Sequence, residues 1–161
     1  MPVLHRLFQG EAKKPDGTTQ KVAPQVALVV GGPRVQVAIG VPSAIAQALL
    51  EKGEALPPPV LGDALIDTGA SISCIDIEAA LALQLPEVGK AVMQSASHAN
   101  HETSLYPFRI SLQGMPIEFG TERAMGAQLK NQGLVAPIGR DILASSILFY
   151  NGITGEITFG I

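Results

Sequence analysis

The sequence has little of what several classes of protein depend on. It contains one cysteine, Cys74, and its longest run of basic residues is the pair Lys13-Lys14. A single cysteine excludes an internal disulfide and gives no sign of an oxidising compartment. The net charge is −3 at pH 7, and a chain without a basic stripe cannot neutralise many backbone phosphates. Nucleic acid is therefore excluded as an expected partner.

Long hydrophobic runs are absent as well. The most apolar stretches are interrupted by Gly, Pro or Gln well before the roughly 20 residues that a membrane helix needs. Residues 1–14 also lack an apolar segment of signal-peptide length. We therefore expect that no segment of this chain inserts into a membrane, that a membrane is not its partner, and that the protein is cytoplasmic.

The residues that are present indicate a compact, β-rich domain. Of the 161 residues, 47% are apolar, 17 are Gly and 12 are Pro, a mixture typical of a turn-rich globular domain rather than a disordered chain. Val, Ile and Thr alternate with turn residues, and helix formers are scarce outside two segments. These patterns predict a mostly β fold with one or two short helices. Residues 1–23 are predicted to form an N-terminal arm and residues 24–161 the domain.

Periodicity and turn residues place the individual elements. Two apolar segments, 25–30 and 35–39, flank a Gly-Gly-Pro turn, which predicts a hairpin. Asp76 precedes an apolar-periodic segment and is expected to cap a helix there. The remaining predicted elements are a helix over 43–53, a strand over 61–66, the helix from 76 to about 85, and hairpins over 88–112 and 147–161.

One segment combines a strand, a carboxylate and a tight turn. The apolar strand 61–66 leads directly into Asp67, Thr68 and Gly69. The turn needs glycine, since the backbone bends sharply there and must leave room for a passing strand. The threonine hydroxyl can hydrogen-bond to a neighbouring backbone and hold the turn rigid. Asp-Thr-Gly alone is a weak signal, but an apolar-Gly-Arg-Asp element at 138–141 strengthens it.

The chain resembles a known family at two places. Residues 65–71 read Leu-Ile-Asp-Thr-Gly-Ala-Ser, and residues 136–143 read Ala-Pro-Ile-Gly-Arg-Asp-Ile-Leu. Both are similar to the retropepsin-like aspartic proteases, which include retroviral proteases and single-domain bacterial and eukaryotic relatives. The likeness covers about residues 24–161. It implies a retropepsin-like acid protease barrel that dimerises to complete a peptide-binding cleft.

The resemblance also implies roles for individual residues. Asp67 would be the catalytic aspartate, Thr68 would lock two catalytic loops together across the dimer, and Gly69 would contact the substrate backbone. The hairpin 88–112 would be the flap that closes over substrate. We further expect Ala70, Ser71 and Ile138 to contact substrate. The resemblance assigns no individual flap residue, and we expect the flap tip to contact substrate through Ser97, His98, Ala99 and Asn100.

Arg140 and Asp141 are interpreted as structural residues near the site. Arg140 would tie a helix or terminus to the core, and Asp141 could cap the short helix after it. Retroviral relatives commonly carry an acidic residue after Asp-Thr-Gly-Ala, where it meets this arginine. Here that place is Ser71, so the partner of Arg140 stays open. The flap tip, residues 94–103, also has none of the glycines that are common in the family.

The chain supplies one half of the chemistry that this family performs. The reaction needs two carboxylates that share one proton. Asp-Thr-Gly occurs once, Asp-Ser-Gly does not occur, and Asp16-Gly17-Thr18 has the wrong order. The second carboxylate is therefore expected from Asp67 of another copy, on a two-fold axis. We predict a homodimeric aspartic endopeptidase that cleaves extended peptides, with a preference for hydrophobic side chains and with no metal or other cofactor.

Other interpretations stay open beside this one. The main alternative is a catalytically inactive, dimeric peptide-binding or scaffolding module of the same fold. Residues 69–73 resemble a Gly-x-Ser-x-Gly nucleophile elbow, but Ser73 replaces the last glycine and no histidine follows His101. His98 and His101 could suggest a metal site, yet no third ligand stands out and solvated loop histidines are favoured. Cys74 is most simply a small buried residue, with oxidation near the catalytic loop as the other reading.

Overall fold

The structure, a computed structural model, describes residues 2–13, 15–95 and 98–161, with side chains except at 94, 95 and 98–100. It divides into two compact units. The first unit consists of the residues up to Arg34 together with Ser145–Ile161, and the second of Val35–Ala144. The chain is mostly β, with 46% strand and 20% helix, which confirms the predicted class.

The described residues form strands and helices in the following order. The strands are β1 (Val3–Leu7), β2 (Gly10–Lys13), β3 (Thr19–Val22), β4 (Arg34–Gly40), β5 (Val60–Ile66), β6 (Cys74–Asp76), β7 (Gly89–Ser95), β8 (His98–Leu112), β9 (Glu118–Ala127), β10 (Ala136–Ile138), β11 (Ile147–Asn151) and β12 (Glu156–Gly160). The helices are α1 (Pro24–Gly31), α2 (Ser43–Glu51), α3 (Ile77–Ala82) and α4 (Arg140–Leu143), with a 3₁₀ turn at Lys130–Gln132. None of these helices has the length and apolar character of a membrane span.

The first unit is built around a three-stranded antiparallel sheet with the order β1-β12-β11. Alternation along β12 directs Ile157 and Phe159 into the core, where both side chains are fully buried. Residues 1–23 contribute β1 and the hairpin of β2 and β3 to this unit. The boundary between arm and domain stays a prediction.

The hairpin predicted over residues 25–39 is wrong in its first half. Pro24–Gly31 forms helix α1, which begins with a proline where the missing N–H would have no partner inside the helix. The helix buries Leu28 completely. A short apolar run has no periodicity that separates a buried strand from a helix, so the residue pattern could not decide. The second half is the expected strand, β4.

The second unit holds a seven-stranded mixed sheet. Its strands follow the order β10-β5-β4-β8-β9-β6, and β7 pairs with β8. β10 lies parallel to β5 and β6 parallel to β9, while β8 is antiparallel to β4, β7 and β9. The hairpin predicted over 88–112 is present as β7 and β8. Side chains alternate along β8, and one face of the strand buries Tyr106, Phe108, Ile110 and Leu112.

Two parts of the predicted fold need correction. The described strands form separate sheets and no closed barrel, because the path of the seven-stranded sheet ends at β10 and β6 instead of returning on itself. The described residues also hold four α-helices rather than one or two. Helix α1 replaces a predicted strand, and α4 is a single turn of four residues.

Candidate active site

Asp67 follows directly on β5, at the point where the strand leaves its parallel neighbour β10. The Asp67 N–H donates to the Ile138 carbonyl at 2.9 Å, which extends the ladder of the two strands. The carboxylate Oδ1 of Asp67 accepts hydrogen bonds from the N–H groups of Gly69 at 2.9 Å and Ala70 at 3.2 Å. The aspartate thus closes its own turn, as Asp side chains commonly do. We call residues 67–70 the Asp67 turn.

The Asp67 turn is partly open to solvent. Asp67 and Ala70 are half-buried, whereas Thr68 and Gly69 are exposed. A Cβ at position 69 would lie 3.1 Å from Asp67 Oδ1, which is closer than most real Cβ contacts. Glycine therefore leaves the carboxylate room to accept its two backbone hydrogen bonds.

Arg140 holds the Asp67 turn through three backbone carbonyls. Its own N–H donates to the Ala70 carbonyl at 2.9 Å. Its guanidinium Nη1 donates to the carbonyls of Thr68 at 2.8 Å and Gly69 at 3.0 Å. The partner of Arg140 that the sequence left open is therefore the backbone of the turn. Every residue has a carbonyl, so residue types carry no signal for this contact.

A second set of hydrogen bonds joins the segment after the turn to residues 139–141. The Ser73 side chain is fully buried, and its Oγ donates to Asp141 Oδ1 at 2.7 Å and accepts from the Gly139 N–H at 2.9 Å. The Ser73 N–H donates to the same Asp141 oxygen at 3.0 Å. A Cβ at Gly139 would lie 2.7 Å from the backbone carbon of Ile72, so glycine allows the two segments to approach this closely. Sequence analysis did not assign Ser73 this role.

Both carboxylates that were predicted to cap helices have other partners. Asp141 lies inside α4, whose N-cap is Gly139, and its Oδ1 accepts from Ser73 instead. Asp76 does occupy the N-cap position of α3 but makes no capping hydrogen bond. Its Oδ1 accepts from the Leu129 N–H at 2.9 Å. The two capping predictions are wrong because donors that are distant in sequence reach each carboxylate.

Cys74 lies half-buried beside this set of groups. Burial, and then the negative charges of Asp67 and Asp141, raise the pKa of the Cys74 thiol to about 11. Such a thiol holds little thiolate near neutral pH, and the thiolate is the reactive form. The structure therefore favours a packing role for Cys74 over a redox role.

Residues 59–135 match a family model described as aspartyl protease. This segment is similar to the aspartyl protease family. The match begins one residue before β5 and contains the Asp67 turn, Ser73 and the hairpin of β7 and β8, so the recognition made from the sequence is confirmed. It ends before residues 139–141, which the hydrogen bonds of Arg140 and Asp141 bring to the same place. No curated protein and no solved structure matches the chain.

The residues predicted to contact substrate occupy different environments, inside the segment that matches the family model and beyond it. Gly69 and Ser71 are exposed and Ala70 is half-buried. Ile138 is only 1% exposed, and its side chain packs in the core of the second unit. At the tip of the predicted flap, Ser97 lies outside the described residues, as do the side chains of His98, Ala99 and Asn100.

A cavity of about 380 Å³ opens beside the segment that leaves the Asp67 turn. Its walls come from Ile72, from Thr121 and its neighbours on β9, and from Asp141 and Ile142. Ile72 is 37% exposed. It therefore offers an apolar wall near the candidate site, which sequence analysis did not assign.

Proposed function

We propose that two copies of this chain form a homodimeric aspartic endopeptidase, in which Asp67 of each copy supplies one catalytic carboxylate. The observation that carries the proposal is the Asp67 turn, which follows a strand in a segment that matches aspartyl proteases. Hydrogen bonds to Ile138 and Arg140 hold this turn. A fixed backbone supports the proposal because catalytic groups act efficiently only when they are held in position.

The reaction follows from two carboxylates that share one proton. The ionised carboxylate removes a proton from water as the water oxygen attacks the scissile carbonyl carbon, and the protonated carboxylate donates to the carbonyl oxygen. The tetrahedral intermediate then collapses, the C–N bond breaks, and the leaving nitrogen takes up a proton. Only the singly protonated pair is competent, so we expect activity in an acidic range, roughly pH 3 to 6. The carboxylates themselves activate the water, and this step uses no metal.

The need for a second copy rests on what one chain contains. Asp-Thr-Gly occurs once in the sequence, so one chain supplies one carboxylate of this kind. Thr68 is exposed, and within the part of the chain that the structure describes its hydroxyl makes no hydrogen bond. That hydroxyl is therefore accessible to the equivalent turn of a second copy, as a dimer with a two-fold axis through the site would require.

An extended peptide is the substrate class that suits an exposed turn beside a sheet. Strand-like backbone hydrogen bonds would position such a peptide along Gly69, Ala70 and Ser71. We propose that the hairpin of β7 and β8 closes over it as a flap. The tip residues assigned to substrate contact are Ser97, His98, Ala99 and Asn100. Apolar walls near the turn, such as Ile72, would favour hydrophobic side chains around the scissile bond.

The test has two parts. It measures whether the protein cleaves peptides, and whether cleavage needs one Asp67 carboxylate from each of two chains. The protein is incubated with a generic peptide library at about pH 5, and new termini are identified by mass spectrometry. Wild-type chains are then unfolded and refolded with a tenfold excess of Asp67→Asn chains. Random pairing leaves about a tenth of the wild-type chains in intact dimers, so the rate per wild-type chain should fall to about a tenth.

The matched control is the same excess of Asp16→Asn chains, whose altered aspartate lies in an exposed turn of the first unit. These chains should not reduce the rate. A library that yields no new termini would contradict an enzyme and support the peptide-binding module. Cleavage that an excess of Asp67→Asn chains leaves unchanged would mean that one chain holds the whole site.

A further inference from the structure

The Arg140 side chain is exposed and yet held in place. Its Nη1 donates to the carbonyls of Thr68 and Gly69, and its backbone N–H donates to Ala70. An arginine carries five N–H donors in a planar fork. Within the described residues, the edge formed by Nε and Nη2 has no hydrogen-bond partner. The carbonyls therefore fix the orientation of this edge, in a residue that is exposed to solvent.

The charge of Arg140 has no direct counterion within the described part of the chain. The ion pairs there join other residues. The two carboxylates of the segments at 67–70 and 139–141 have other partners: Asp67 accepts from the N–H groups of its own turn, and Asp141 accepts from Ser73. Ser71, which follows the turn, is neutral. A guanidinium stays protonated at all relevant pH values, so a positive charge stands beside the candidate site.

We propose that the open edge of Arg140 binds a carboxylate of the substrate, so that the protease favours peptides with Asp or Glu near the scissile bond. This inference rests on the proposed function. A guanidinium edge matches a carboxylate with two parallel hydrogen bonds. Because the carbonyls of the turn already hold the side chain, little conformational freedom is lost on binding. The acidic residue would lie in the part of the peptide that runs alongside residues 69–71 of the protease.

The first experiment compares peptides that differ at one position. Glu and Gln are exchanged at each of the four positions on either side of a cleaved bond, and kcat/KM is measured at about pH 5.5, where a Glu side chain is ionised. We expect a Glu-over-Gln ratio of about fivefold at one position, and it should shrink as salt is added. A ratio near one at every position overturns the inference and leaves the proposed function intact. A complete lack of cleavage would instead overturn the proposed function.

The second experiment assigns the preference to Arg140. Arg140→Gln should bring the Glu-over-Gln ratio to one. This variant also loses contacts to the turn, so the ratio and not the absolute rate is the measure. Ser71→Asp keeps the arginine and offers it an internal carboxylate next to Ala70, which should also abolish the preference. Ser71→Asn, its neutral control of similar size, should retain it. A ratio that persists in Arg140→Gln or in Ser71→Asp overturns the inference.

Discussion

The turn at Asp16 and the turn at Asp67 are built from the same three residue types. In the first unit, Asp16 Oδ1 accepts hydrogen bonds from the Thr18 N–H at 2.9 Å and the Thr18 hydroxyl at 2.6 Å. In the second unit, Asp67 Oδ1 accepts from the N–H groups of Gly69 and Ala70. Both aspartates thus close a local turn, because an Asp side chain readily accepts hydrogen bonds from the backbone two residues further along the chain.

The two turns differ in what reaches them from elsewhere in the chain. The Thr18 hydroxyl lowers the pKa of Asp16, which is fully exposed, and a Cβ at Gly17 would meet no atom within 4 Å. The Asp67 turn receives hydrogen bonds from Arg140, more than 70 residues away. Local sequence forms a turn of this kind, but contacts from distant segments decide whether its carboxylate is held in a site.

The largest difference between the two turns should appear in activity. Asp67→Asn replaces a carboxylate with an amide that cannot take a proton from water, so kcat/KM should fall by about 10² to 10⁴-fold or more. Asp16→Asn should leave kcat/KM unchanged. Rates on a cleaved library peptide measure both, and circular dichroism checks that each variant folds. Full activity in purified Asp67→Asn would remove the distinction between the two turns.

The glycines near the two turns should respond differently to an added methyl group. At Gly139 the new Cβ would meet the backbone of Ile72 and Ser73 at 2.7 to 2.9 Å, so Gly139→Ala should lower the free energy of unfolding by about 1–3 kcal/mol and reduce activity. Gly17 has a φ of +85° and open space around it. Gly17→Ala should therefore cost about 1 kcal/mol and spare activity. Urea unfolding with parallel rate measurements tests the pair, and an active Gly139→Ala would contradict the tight contact.

The hydroxyl groups of Ser73 and Thr18 offer a third comparison. Ser73→Ala leaves the buried Gly139 N–H without an acceptor and removes a donor from Asp141, which should destabilise the protein by about 1–3 kcal/mol. Thr18→Ala removes an exposed hydrogen bond to Asp16, and its effect should stay within about 0.5 kcal/mol. Urea unfolding midpoints measure both. Equal effects would mean that the buried hydrogen bonds of Ser73 contribute no more to stability than the exposed hydrogen bond of Thr18.

The Asp67 and Asp16 turns should differ least in their effect on the Cys74 thiol. Its pKa rises from 9.0 to about 11 in the folded chain, so alkylation by iodoacetamide near pH 8 should be about a hundredfold slower than in urea. Burial is the largest cause, and the charge of Asp67 is a smaller one. Asp67→Asn should therefore speed alkylation by much less than unfolding does, and Asp16→Asn should not change it. Mass spectrometry of the single cysteine gives the rate, and fast labelling of the native protein would contradict the burial.

The raised pKa of Cys74 also has a consequence for stability. Between about pH 9 and 11 the folded state holds the thiol proton more tightly than the unfolded state. Its contribution to stability is therefore fully present below pH 9 and is lost as the pH rises through 11. Cys74→Ala should lose less stability over this range than the wild type, which urea unfolding at several pH values measures.

Elements with a local cause could be predicted from the sequence. The alternation of β8 follows from a strand with one buried face, and the hairpin of β7 and β8 was expected at its observed place. The position of Asp76 at the start of α3 was also predicted correctly. Each of these follows from neighbouring residues and requires no knowledge of the rest of the chain.

Elements with a distant cause could not be predicted. The apolar run at Pro24–Gly31 fits a strand as well as a helix, and its packing in the first unit decided for the helix. The carboxylates of Asp76 and Asp141 suited helix caps by position, yet Leu129 and Ser73 supply their hydrogen bonds. The prediction of a closed barrel was wrong for the same reason, because pairing at the ends of a sheet depends on how strands from distant segments meet.

By itself the sequence determined the chemistry that this chain can offer. A strand followed by Asp67, Thr68 and Gly69 specifies a carboxylate in a tight turn, and a single such turn specifies one carboxylate per chain. The tertiary structure decided how that turn is held, because Arg140 donates to its carbonyls, which all residues possess. It also decided that Ser73 would be buried and hydrogen-bonded to residues 139–141, which come from a distant part of the chain. Contacts to backbone groups leave no trace in residue types, so only the folded chain reveals them.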